Sequence, residues 1–164
     1  MFKVGDIVVY SATGVCEVSE ICEKEFCKVM MKYYVLTPLL QKSATVFVPT
    51  ENSKLTQKMH NILTKEEFDS AFAAAAKRTP VRPETEAERR ARFGEILDSG
   101  DRCALLLMVY DLRKLQKEQT ENSRRLHIAD ERLMNSAENL LFEEVAYVYG
   151  IEKENAADFI KSKF

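Results

Sequence analysis

The chain has 164 residues, 46% of them apolar, with a formal net charge of −2. That is enough material for one domain or two small ones with a buried core, while the near-neutral balance excludes a uniformly basic nucleic-acid binder. No apolar run reaches the roughly 18 residues of a membrane span. The four cysteines include no CxxC pair and the two histidines stand apart, so neither a zinc site nor a disulfide scaffold is outlined. Free thiols in a reducing, cytoplasmic setting are expected, with no signal segment ahead of the first strand, no cofactor and no small-molecule substrate.

Residues 2–18, FKVGDIVVYSATGVCEV, alternate apolar and polar side chains between glycine-marked turns, which reads as a β-hairpin or meander. Gly14 is the position expected to need a positive φ or a close backbone approach. The stretch 21–31, ICEKEFCKVMM, is either one further strand or two strands around a charged turn near residues 23–25. KYYVLTPLL (32–40) and ATVFVP (44–49) are rich in β-branched and aromatic residues, and Pro38 ends the first or confines it to an edge. Four or five short strands in some fifty residues predict a small barrel or a strongly bent sheet.

After Pro49 the period changes. Residues 50–61, TENSKLTQKMHN, read as a polar connector with a few apolar anchors. Thr64 with Glu67, and Thr85 with Glu88, have capping-box spacing and open two helices, separated by the helix-breaking TPVRPE at 79–84. Gly100 closes the second of these and Asp101 caps a third, RCALLLMVYDLRKLQKEQ, whose apolar first half predicts a central position. A fourth helix from about Ala129 to Tyr149 carries the stripe Leu133, Ala137, Leu140, Leu141, Val145 and Val148. Gly150 stops it before a short fifth. The fold class is therefore α+β: a β module over 1–54, a connector over 55–63, and an all-α bundle of about five helices over 64–164.

Charge is segregated along the chain. Six basic residues face three acidic ones between residues 77 and 92, five face two between 113 and 125, and six acidic residues face one lysine between 138 and 158. The five glycines are isolated, so no phosphate-binding loop is present, and no nucleophile elbow occurs. Paired carboxylates such as Glu66-Glu67 and Glu143-Glu144 lie on helices, where solvated surface is the expected role. Nothing here outlines an enzyme.

FKVGDIVVYSATGVCEVSEI, then YYVLTPL and TVFVPTEN, resemble the N-terminal module of the CarD family of bacterial transcription regulators, a module shared with transcription-repair coupling factor. The resemblance continues through Ser99-Gly100-Asp101, Asp111-Leu112, and the spaced Glu131, Arg132, Ala137, Leu140, Leu141, Glu144 and Ala146. It implies a Tudor-like, strongly bent sheet that docks on the β subunit of RNA polymerase, and a helical domain at the upstream edge of the promoter bubble. Sheet-edge pairing is a physically sensible mode for such docking.

The chain departs from the family pattern in several places. Phe47 stands where a basic residue is common, Lys58-Met59-His60 replaces Gly-Val-Arg, and Glu86 falls near the place of a tryptophan used as a minor-groove wedge. Lys24 keeps an expected basic position. Lys24, Phe47 and Pro49 are the expected polymerase contacts, Phe47 as an exposed aromatic anchor. Arg89, Arg90 and Arg92, followed by Lys114 and Arg132, are the candidates for weak phosphate contact with promoter DNA, against the alternative of a solvated or ion-paired helix face. Phe93 is either a substitute wedge or, by its spacing with Ile96 and Leu97, a core residue. Tyr10, Tyr33 and Tyr34 are expected as core filling rather than an aromatic cage. An adaptor that binds polymerase or another protein without engaging DNA is the alternative function.

Overall fold

The computed structural model describes residues 1–10, 13–26, 28–40, 44–79 and 85–163, which form two units, Met1–Ile62 and Leu63–Phe164. Alternating Val and Ile side chains draw the first unit into an antiparallel sheet of β1 (Ile7–Tyr10), β2 (Gly14–Phe26), β3 (Val29–Pro38), β4 (Val46–Pro49) and β5 (Met59–Asn61), in the order β4-β3-β2-β1-β5. Gly14 enters β2 at φ 87°, a conformation that costs glycine little and other residues more. At Ser19 the β2–β3 register slips by one residue. The Ser19 hydroxyl donates to the Val35 carbonyl at 3.1 Å and accepts from Thr37 at 2.9 Å, holding the bulge that bends the sheet.

The open choice over 21–31 resolves as two strands, with Phe26 paired opposite Val29 and no reversal at 23–25; Cys27 lies outside the described residues. Residues 23–25 contain no turn former and pair across the ribbon, Glu23 opposite Lys32, while Lys28 takes the left-handed conformation at φ 64°. One face of the sheet gathers Val8, Cys16, Val18, Tyr34, Leu36, Val48 and Met59 into a core. Tyr34 belongs to that core and Tyr10 packs against it, while Tyr33 is buried on the opposite face.

Residues 50–61 are not a plain connector. They hold a single helical turn, α1 (Ser53–Thr56), capped by the Asn52 side chain, and then β5, which pairs with β1 and supplies buried Met59 to the core. Three residues with one buried apolar side chain are too short to show alternation, so only pairing with β1 makes them a strand.

The second unit comprises α2 (Lys65–Ala76), α3 (Glu86–Ser99), α4 (Arg102–Glu121), α5 (Ile128–Tyr149) and α6 (Lys153–Ser162). Both expected capping boxes form, Asp101 caps α4, and Gly100 and Gly150 end α3 and α5 at φ 68°. The α2–α3 segment 80–84, with both expected helix-breaking prolines, lies outside the described residues. Leu105, Leu106 and Leu112 of α4 and Leu140, Leu141 and Val145 of α5 are all buried, and the two helices pack together. Burying each such side chain is worth about 1.5–3 kcal/mol.

At one end of the bundle Phe68 and Phe72 of α2 contact Tyr149 and Phe159 edge-on. The Tyr149 hydroxyl donates to Asp69 Oδ1 at 2.9 Å, and Lys163 Nζ reaches the same oxygen at 3.2 Å. Burial and the Asp69 bond push the Tyr149 hydroxyl well above its ordinary pKa. The Tyr149 and Lys163 hydrogen bonds hold Asp69 below the usual carboxylate range. A raised folded-state pKa means that Tyr149 stabilises fully below the unfolded value of about 10 and loses that contribution as pH rises beyond it. Asp69 has the opposite sign: its contribution is present at neutral pH and is lost on acidification below the ordinary aspartate range. Alkaline unfolding followed by circular dichroism should therefore be shallower above about pH 10 in Tyr149→Phe than in the wild type; an unchanged limb would remove Tyr149 from the account.

Candidate protein and nucleic-acid interfaces

The three expected docking residues come from different strands of the sheet. Strand alternation places Lys24, Met31, Tyr33, Phe47 and Pro49 on the face opposite the core cluster. Phe47 lies on edge strand β4, 43% exposed, with the edge of its ring against Tyr33 at 6.3 Å between centroids. Lys24 reaches back over the same ring, its Nζ 3.8 Å from the centroid. A cation so placed gains about 0.5–1 kcal/mol at an exposed site, and the ring fixes where the ammonium sits. Pro49 ends the edge strand opposite Tyr33, a position where a missing N–H costs least.

In the bundle, α5 carries the main electrostatic feature, and the expectation of a solvated acidic region is corrected there. Glu143 and Glu144 are 1% and 0% exposed, and Asp130 and Glu138 are buried as well. Each has a cation from another helix. Asp130 receives Arg89 of α3 through two bonds of 2.7 Å, and Glu138 receives Arg113 of α4. Glu143 receives Lys153 of α6 at 2.8 Å, and Glu144 receives Arg102 of α4 at 2.5 Å. The Glu144 carboxylate also accepts the Leu63 N–H at 3.3 Å, and Arg102 donates to the Gly100 carbonyl at 2.9 Å. Among the described residues no buried side-chain polar atom lacks a partner. Burial leaves these carboxylates dependent on their pairs, because an ion without water or a counter-charge is costly.

This arrangement sorts the expected DNA contacts. Arg89 is half-buried and engaged with Asp130, which matches the ion-paired alternative for that residue. Arg90 is exposed and pairs with Glu86 one turn earlier at 2.5 Å. Glu86 also meets His127 at 2.9 Å, so its partly exposed carboxylate faces two basic groups. Arg92 borders a cleft of about 360 Å³ with Arg78 and Asp111. Lys114 and Arg132 are exposed on α4 and α5. Phe93 is 8% exposed and belongs to the core of the bundle, not to a wedge.

The buried pairs were missed in the sequence, although one signal was available. Glu144 follows Leu133, Ala137 and Leu140 at helical spacing, inside the apolar stripe, and Asp130 precedes it on the same line. The sheet contact between Lys24 and Phe47 had no comparable local signal.

Among the described residues no helix is long and apolar enough to cross a membrane, and no three potential metal ligands cluster. Among the described residues Cys16, Cys22 and Cys103 form no disulfide, and burial pushes the Cys103 thiol up. The chain thus joins a bent sheet carrying an exposed cation–aromatic stack to a helical bundle cross-linked through buried ion pairs. Residues 2–62 match the CarD-like/TRCF RID domain and residues 71–161 match the CarD C-terminal domain. The chain belongs to the CarD family. That membership places it among transcription-related regulators that interact with RNA polymerase.

Proposed function

We propose that this protein regulates transcription initiation by docking its sheet module on the β subunit of RNA polymerase, from where the bundle alters the lifetime of the promoter open complex. The observation that carries the proposal is the presence, in order on one chain, of the polymerase-interaction module and the CarD C-terminal domain. Lys24, Phe47 and Pro49 are the docking residues on this reading. DNA contact falls to Arg90, Arg92, Lys114 and Arg132, reaching phosphates without reading bases. With so few cations the contact is weak, sequence-tolerant and salt-sensitive, and depends on the effective concentration that docking provides.

The experiment uses the full chain with purified polymerase on a promoter, measuring open-complex lifetime at several salt concentrations. The wild type should change the lifetime, and Arg90→Ala/Arg92→Ala should lower the log–log salt slope by up to about 2 units, roughly one per phosphate contact. Identical slopes for mutant and wild type would take α3 off the DNA. A second reading, an adaptor that docks without engaging DNA, is favoured by Glu86 at the wedge position and by the internal engagement of Arg89. Polymerase binding with no kinetic effect on promoter opening would select it.

A further inference from the structure

The first half of α4 is apolar almost all round, yet the bundle does not cover all of it. Leu105, Leu106 and Leu112 are buried, while Leu107 and Met108 are only half-buried. Both line the cleft of about 360 Å³ that Arg92 borders, together with Ala104 and Asp111. These four α4 residues stand at i, i+3, i+4 and i+7, so they share one face of the helix. Arg89, Arg92 and Ile96 of α3 share a face by similar spacing and form a second wall. Arg78 and Thr79, just past the end of α2, lie at the same cleft.

Size and charge both suit this cleft to a small ligand. Its volume lies within the roughly 300–1,000 Å³ of ligand pockets, and apolar side chains left at a concave surface gain by excluding water. Arg89 is held by Asp130, and Arg78 and Arg92 face Asp111 as the one carboxylate among the described lining residues. The lining is therefore net positive. A guanidinium presents parallel N–H donors that match a carboxylate, a sulfonate or a phosphate, and that of Arg78 is exposed at the end of α2.

We propose that this cleft is a ligand site for a small amphipathic anion, with its apolar body against Ile96, Leu107 and Met108 and a single anionic group toward Arg78 and Arg92. Such a ligand is distinct from the polymerase and promoter contacts proposed above, with which it shares only Arg92. A DNA phosphate would engage the guanidiniums and leave the apolar walls unused.

The test titrates the full chain with anilinonaphthalene sulfonate, an aromatic anion that fluoresces on entering apolar surroundings, and uses inorganic sulfate as the anion without an apolar body. The wild type should bind one equivalent, and sulfate at the same concentration should not displace it. Arg78→Glu should weaken binding about tenfold or more, the worth of one charge-assisted contact. Ala104→Leu fills the cleft with every charge kept, and should weaken binding about as much. Lys161→Glu makes the same charge change at the other apolar cleft, between α4, α5 and α6, and should stay within about twofold of the wild type. Circular dichroism melts establish that each variant is folded. Absence of binding by the folded wild type, or wild-type affinity in both Arg78→Glu and Ala104→Leu, would overturn the site. A loss in Lys161→Glu and none in Arg78→Glu would overturn it in favour of the other cleft. Displacement by sulfate, with wild-type affinity in Ala104→Leu, would reduce the cleft to a general anion contact of the kind a DNA phosphate makes.

Discussion

Glu144→Ala should destabilise the helical unit by about 3–5 kcal/mol, the cost of breaking a buried ion pair from one side. The carboxylate is 0% exposed and accepts from Arg102 Nε at 2.5 Å, Arg102 Nη2 at 3.2 Å and the Leu63 N–H at 3.3 Å. Alanine leaves a 5% exposed guanidinium with only the Gly100 carbonyl of these partners, and it strands a backbone donor at the start of the unit. Against a typical domain stability of about 5–15 kcal/mol, that loss leaves part of the population unfolded at physiological temperature. Urea unfolding monitored by helical circular dichroism would read it directly. Arg102→Met/Glu144→Leu should recover most of the loss, since a well-packed apolar pair removes both desolvation costs. A Glu144→Ala variant within about 1 kcal/mol of the wild type would show that water reaches Arg102.

Arg89→Ala should act on stability before it acts on DNA. Asp130 is 2% exposed and both its oxygens bond Arg89, so the mutation leaves a buried carboxylate without its guanidinium and costs about 3 kcal/mol. The loss should be visible as faster amide exchange across α3, which packs against α5 and is tied to it by that pair. The salt slope of the polymerase–promoter complex should be unaltered for the folded fraction, unlike that of an Arg90 variant. The reverse result, unchanged stability with a slope lowered by about 1 unit, would make Arg89 a phosphate contact after all. The two arginines are adjacent in sequence and differ because a helix turns by about 100° per residue, one facing α5 and the other solvent.

Helix ends were the most legible feature of the chain. Thr64 with Glu67, Thr85 with Glu88, and Asp101 with Ala104 make hydrogen bonds over three residues, and Gly100 and Gly150 take backbone angles that disfavour other residues. β1 was legible through alternation, and β3 and β4 through their β-branched and aromatic residues. By contrast β5 has no pattern of its own, and Lys28, ahead of β3, takes the left-handed region where glycine or asparagine would have marked a turn.

The sequence by itself determined β1, β3 and β4, the order of the five long helices, the N-caps of α2, α3 and α4, the α+β class and the family resemblance. All of these rest on residues a few positions apart or on motifs in linear order. Tertiary structure alone decided which charges are surface and which are interior. Glu144 meets Arg102 across 42 residues and Asp130 meets Arg89 across 41, so neither pairing has a local signature. The same holds for Lys24 and Phe47, brought together by a bulged sheet across two strand neighbours. A charged side chain in a helix has the same local energy whether it faces water or a counter-ion. Its burial is decided when neighbouring helices pack and bring the partner that makes desolvation tolerable.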